Sequence, residues 1–133
     1  MKTIAQKVSA QRTLQGVEKT AYTVDASGRT LGRVASEAAS ALLGKKSANY
    51  VQNMVLPMTV TIVNASKLSL PEKRVAGKDY VHYTGYPGGL RITSMSMLKD
   101  KKGIEEVIRK AVDGMIPRNK LRKDRMKSLI ITA

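Results

Sequence analysis

The spacing of apolar residues changes several times along the chain, and each change predicts an element. Tyr22, Thr23 and Val24 suit a strand. Asp25, Ser27 and Gly28 are turn residues. Leu31, Val34, Ala35, Ala38, Leu42 and Leu43 then recur at helical spacing and predict a helix with one apolar face. Ser27 and Thr30 are its candidate caps, and Gly44 suits its end. Ser47 to Pro57 reads as a connection that carries Tyr50, Val51, Met54, Val55 and Leu56. Met58 to Asn64 is β-branched and mostly apolar, a strand buried on both faces. Strand, helix and strand in that order predict a right-handed βαβ unit with a parallel sheet. Ala65 to Arg91 is long for a loop, so it carries function or small elements of its own. Ser94 is placed to cap a helix over Met95 to Lys102. Ile104, Val107, Ile108, Ala111, Val112 and Met115 mark an amphipathic helix that Gly114 and Pro117 close. Ser128 to Thr132 reads as a short C-terminal strand. The sum is an α/β layer fold with a small parallel or mixed sheet. Residues 20–133 form one domain, preceded by a basic arm over 1–19.

Charge changes this picture from a fold to a class of partner. Against 10 Asp and Glu stand 24 Lys and Arg, a formal net charge of +14. Such an excess opposes compaction unless an anionic partner neutralises it, and it points to nucleic acid. A hydrophobic content of 42% argues for a folded domain rather than a disordered basic tail. There is no cysteine, which excludes a disulfide framework and a thiolate metal site. No apolar run is long enough to span a membrane. The opening MKTIAQKVSAQRTLQG has no apolar core of a secretory signal. It reads as a surface arm that orders on a partner, with an organellar presequence the weaker alternative.

Catalytic chemistry finds little to stand on. His82 is the single histidine, the acids are scattered, and no HExxH or GxSxG pattern occurs. No catalytic residue, metal site or cofactor is assigned. Gly28 and Gly32 are too far apart for a GxGxxG turn. Gly44-Lys45-Lys46-Ser47 resembles the end of a P-loop, but Ala39 stands where its first glycine belongs and the stretch follows a helix instead of preceding one. A glycine cap with two lysines complementing the helix dipole accounts for it, and the lysines remain free to meet a phosphate backbone.

The bases fall into clusters. Arg29 and Arg33 flank a helix start, where the dipole favours acids, so they suit phosphate; Arg29 has Asp25 and Glu37 as alternative partners. Lys45 and Lys46 follow the same helix. Lys73, Arg74 and Lys78 form a further cluster. Arg118, Lys120, Arg122, Lys123, Arg125 and Lys127 form the densest, and repel one another unless an anion is near. The stretch His82 to Arg91 combines Gly85, Gly88 and Gly89 with Pro87, a stiff loop that another backbone can approach closely. Tyr80, Tyr83 and Tyr86 offer faces and hydroxyls to unpaired bases and 2′-hydroxyls.

These residues resemble the ribosomal protein L-thirteen family of the large subunit. The resemblance runs from about Ala21 to Ile131. It rests on Val24-Asp25-Ala26, Leu31 to Ser36, Leu43-Gly44-Lys45, Val63-Asn64-Ala65, Lys78-Asp79-Tyr80, Thr84 to Leu90 and Ala111 to Asn119, in order and at compatible spacing. It implies a three-layer α/β/α fold around a four-stranded, mostly parallel sheet. It also implies a non-enzymatic structural protein of the cytoplasmic ribosome, an organellar ribosome being the weaker reading. Its partners are then large-subunit ribosomal RNA and neighbouring ribosomal proteins, with no membrane and no small-molecule substrate. The alternative is a free-standing RNA-binding regulatory module. By resemblance Arg29, Arg33, Lys45, Lys46, Lys78, Tyr86, Gly88, Gly89, Arg91, Arg118 and Asn119 contact or present RNA. Composition adds Lys73, Arg74, His82, Tyr83, Lys120, Arg122, Lys123, Arg125 and Lys127. The chain departs from the family at Ala21, usually Trp, at the apolar Val55 to Met58, usually acidic, and at Tyr83, usually His. It also stops before the family's usual bacterial tail, so contacts of that tail do not carry over.

Overall fold

The computed structural model describes residues 19–133. The arm expected over 1–19 therefore lies outside the described residues apart from Lys19. Strand β1 (Thr20–Asp25), helix α1 (Leu31–Leu42) and strand β2 (Met58–Val63) form the expected βαβ unit, with β1 and β2 parallel and Val24 opposite Ile62. Strand β5 (Leu129–Ile131) pairs in parallel with the other edge of β2. Thr30 takes the cap position of α1 without a side-chain hydrogen bond. Gly44 ends the helix at a φ of +84°, and a Cβ there would meet Leu56 Cδ1 at 2.8 Å. The positive φ favours glycine at this position, and a larger residue would also push the Leu56 side chain aside. The apolar 55–58 segment packs inward, with Leu56 and Met58 buried.

The ends of β1 and β2 are locked by two of the short motifs. Asn64 adopts the left-handed conformation, which asparagine tolerates, at a φ of 57°. Its side-chain amide donates to Asp25 Oδ1 at 3.0 Å, and the Ser27 N–H donates to the same oxygen at 3.0 Å. The Ser27 bond, then the Asn64 bond, hold the Asp25 carboxyl below the usual range.

The long stretch after β2 carries small elements, as its length predicts. These are a 3-10 turn (Ala65–Lys67), helix α2 (Glu72–Gly77) and strand β3 (Asp79–Tyr83). Strand β4 (Leu90–Ser94) pairs antiparallel with β3 to make a separate two-stranded sheet. Ser94 then caps helix α3 (Met95–Met115), its hydroxyl accepting from the Met97 N–H at 3.3 Å. Gly103, at a φ of 80°, breaks α3 between the two helical stretches that the apolar spacing separates. Helix α4 (Arg122–Lys127) leads into β5.

The core lies between one face of the parallel sheet and the helices. Val24, Val60, Ile62 and Leu129 from the sheet meet Val34, Ala35 and Ala38 of α1 and Ile108 and Val112 of α3. The small alanines of α1 let α3 pack closely upon it. The sheet's other face, with Thr23, Thr59 and Ile130, is exposed among the described residues. The fold is thus mixed α/β with a mostly parallel sheet. Three parallel strands and a two-stranded hairpin stand where the resemblance implies one sheet of four strands.

Candidate nucleic-acid interface

The α1–α3 packing leaves a cleft of about 900 Å³ where the start of α1, α2, β3 and the end of α3 converge. Its base is apolar, with Leu31, Leu70, Met95 and Ala111. Its walls are cationic: Arg33 from α1, Arg74 from α2, Lys78 ahead of β3, Lys110 from α3, and Arg118 and Arg122 beyond it. Arg122 Nε pairs with Asp113 Oδ1 at 3.2 Å. Arg33, Arg74, Lys78, Lys110 and Arg118 make no ion pair among the described residues. The ammonium groups of Lys110 and Lys78 stand 5.3 and 5.8 Å from the centre of the Tyr80 ring. Both are within cation–π range. Burial pushes the Tyr80 hydroxyl upward, so it stays a neutral donor. A smaller recess of about 270 Å³ on the other side of Tyr80 gathers His82, Thr93, Met97, Lys101 and Lys102.

The β3–β4 hairpin projects from this cleft, held at its base by the Met95 N–H donating to the Lys78 carbonyl at 2.8 Å. Tyr86 at its tip is 75% exposed. Gly85 and Gly88 have φ values of 89° and 73°, which glycine alone adopts without cost. A Cβ at Gly89 would overlap the Thr84 hydroxyl. The tip conformation is therefore built on glycine, and Arg91 lies opposite His82 in the strand pair.

Arg29 and Lys46 behave differently. Arg29 Nη2 and Lys46 Nζ both hold Glu37, at 2.7 and 3.1 Å. Arg29 also donates to the Asp25 carbonyl at 3.3 Å. The Glu37 carboxyl is pulled below its usual range, by Arg29 first and Lys46 second.

Comparison with known proteins bears on what such a surface meets. The sequence model of the family described as Ribosomal protein L13 matches residues 5–132. The large ribosomal subunit protein uL13 of Geobacter sulfurreducens is 44% identical over 112 residues, which cover 84% of this chain and 78% of that protein. Its counterpart in Clostridioides difficile is 44% identical over 117 residues, 88% of this chain and 81% of that protein. That of Moorella thermoacetica is 42% identical over 113 residues, 85% and 78% of the two chains. This chain belongs to the ribosomal protein L13 family. That is a family of ribosomal structural proteins, and not one of enzymes.

The segments that carry the family resemblance take distinct places in the fold. Leu31 to Ser36 opens α1, and its Leu31, Gly32 and Arg33 line the cleft; from Ala111 to Asn119, Ala111, Asp113, Gly114, Met115 and Arg118 line it as well. Thr84 to Leu90 is the hairpin tip. Of the bases singled out from sequence, Arg33, Arg74, Lys78, Arg118 and Arg122 come together in the cleft. His82 lies in the recess, and Tyr83, Tyr86, Gly88 and Arg91 are exposed on the hairpin. Gly89 is half-buried beneath that tip. Lys45, Lys73, Lys120 and Lys123 are exposed outside the cleft. Asn119 folds its side-chain oxygen onto the Leu121 N–H at 3.1 Å, and Lys127 pairs with Asp124 at 2.9 Å.

Arg125 is a correction. It is only 3% exposed, and its guanidinium donates to the carbonyls of Gln52 and Met54 at 3.1 and 3.2 Å. Helix α4 turns this one base of the dense cluster inward, where it clamps the loop before β2. Lys110 was not legible as a site residue. It belongs to the polar side of an amphipathic helix, and only the packing of β3 beside α3 shows that it shares Tyr80 with Lys78.

Proposed function

We propose that this protein is a structural constituent of the large ribosomal subunit that binds large-subunit ribosomal RNA and supports subunit assembly and translation. The observation that carries the reading is the cleft wall of Arg33, Arg74, Lys78 and Arg118, four cations from three segments without an acidic partner among the described residues. The folded chain holds them close together against their mutual repulsion. Phosphates relieve that repulsion and release counterions as they bind. The named relatives are large-subunit proteins, which supports ribosomal RNA as the polyanion.

In this reading the compact body fixes the cleft, while the hairpin carries Tyr83, Tyr86 and Arg91 outward to 2′-hydroxyls and loop bases. Neighbouring ribosomal proteins are its other partners, the cytoplasmic ribosome is its place, and it needs no cofactor or small-molecule substrate. The sheet face at Thr23, Thr59 and Ile130 is where a further layer packs if the family's three-layer, four-stranded arrangement holds.

Washing purified large subunits in high salt tests the proposal. A structural constituent stays with the large subunit after the wash. Release into the soluble fraction along with transient factors contradicts the proposal and favours a free-standing regulatory module.

A further inference from the structure

We infer that the cleft between α1 and α3 receives an unpaired nucleotide of the bound RNA, its base against the apolar floor and its flanking phosphates on the rim. The inference rests on the RNA-binding reading above and adds which part of an RNA enters. Duplex RNA presents phosphates and 2′-hydroxyls on a convex surface, with its bases paired inside. Such a surface satisfies cations but leaves the floor of Leu31, Leu70, Met95 and Ala111 uncovered. A splayed nucleotide meets both, and the volume of about 900 Å³ leaves room for one.

Two further observations point the same way. Two carboxylates line this otherwise basic cleft, Asp113, which Arg122 already holds at 3.2 Å, and Asp79, which makes no ion pair among the described residues. The Asp79 carboxylate opposes a phosphate but accepts from the N–H groups of an unpaired base. Gly32 and Gly114, helical residues of α1 and α3, line it as well. A Cβ at either would meet nothing within 4 Å, and neither has a φ that requires glycine. Gly44 and Gly89 differ, the first by its positive φ and the second because the Thr84 hydroxyl and the Tyr86 carbonyl exclude a side chain. Gly32 is the second residue of α1 and Gly114 the next to last of α3, so glycine costs less there than in a helix interior, and the protein's own packing demands it at neither. Its effect is to keep the cleft open to an occupant from outside. Cations on several segments suit successive phosphates of a chain rather than a single phosphate.

The test uses the full chain, large-subunit ribosomal RNA transcribed in vitro, and dimethyl sulfate to read unpaired bases. Wild type is expected to shield a small set of unpaired bases. Gly114→Leu and, separately, Gly32→Leu fill the cleft without removing a charge. Each is expected to re-expose those bases and weaken binding roughly tenfold, the scale of losing one buried apolar contact, at a circular-dichroism melt no lower than that of wild type. If one variant does not fold, the other decides. Wild-type affinity and footprint in a folded variant overturn the inference and leave the RNA-binding proposal standing. No binding of the RNA by wild type overturns that proposal itself. Saturable micromolar binding of adenosine 5′-monophosphate, abolished by the same variants, overturns the assignment in favour of a free nucleotide.

Discussion

Arg118 and Arg125 belong to one basic run and have opposite surroundings. Arg118 is exposed at the cleft, whereas Arg125 is buried on two carbonyls. Arg125→Ala is expected to lower stability by about 1–3 kcal/mol in urea denaturation, because a buried side chain and its two hydrogen bonds to the loop before β2 are lost. Arg118→Ala is expected to change stability by less than about 0.5 kcal/mol and to weaken RNA binding. Composition made the two alike; burial separates them, and burial comes from contacts that no local pattern carries. Glu37 gives a second prediction at this scale. Its carboxyl binds a proton more weakly in the folded chain, so its stabilising effect is complete above its ordinary pKa of 4.5. That effect is lost as pH falls through its lowered folded value. Thermal melts of wild type and Glu37→Gln should therefore differ most near neutral pH, and the gap should close in acid. A constant gap contradicts the Arg29–Glu37–Lys46 account. The competing partners of Arg29 were readable from the sequence; that Lys46 shares Glu37 was not.

Among the elements, α1 and the two halves of α3 follow from apolar spacing because each buries one face, α1 and the second half of α3 in the main core and the first half in a smaller cluster around Met95 and Leu98. Strand β2 differs from its expectation of burial on both faces: only Met58, Val60 and Ile62 point inward, and Thr59 is exposed because no helix covers that side of the sheet among the described residues. The β3–β4 hairpin does not follow from apolar spacing. Its cross-strand pairs Val81 with Ile92 and Tyr83 with Leu90 are exposed, 64% and 59% for the first pair. No burial pattern marks them, and a six-residue connection separates the strands. The glycines, proline and tyrosines of its tip were legible as an unusual loop, though not as a strand turn. A lone two-stranded sheet is marginal in water. Backbone amides of β3 and β4 are therefore expected to exchange with deuterium well before those of β2, and to slow when RNA binds. Equal protection of the hairpin and β2 in the free protein contradicts this description.

At the scale of the whole molecule, a formal charge of +14 is held on a small α/β body, and the fold decides where the charge is left unpaired. The sequence made nucleic acid the expected partner and α/β the expected class. The cleft joins residues from Arg33 to Arg122 and depends on α1–α3 packing, so no linear motif displays it. Affinity for RNA should fall steeply with salt, with a logarithmic slope of about −0.7 to −0.9 for each phosphate neutralised. A flat response contradicts binding through several phosphates. The most direct test of the central claim is to crosslink the protein to RNA in its own cells, purify it under denaturing conditions and sequence the attached fragments. Large-subunit ribosomal RNA should dominate, concentrated in a few sites. A spread over messenger RNAs, with large-subunit ribosomal RNA no higher than background, would contradict the account.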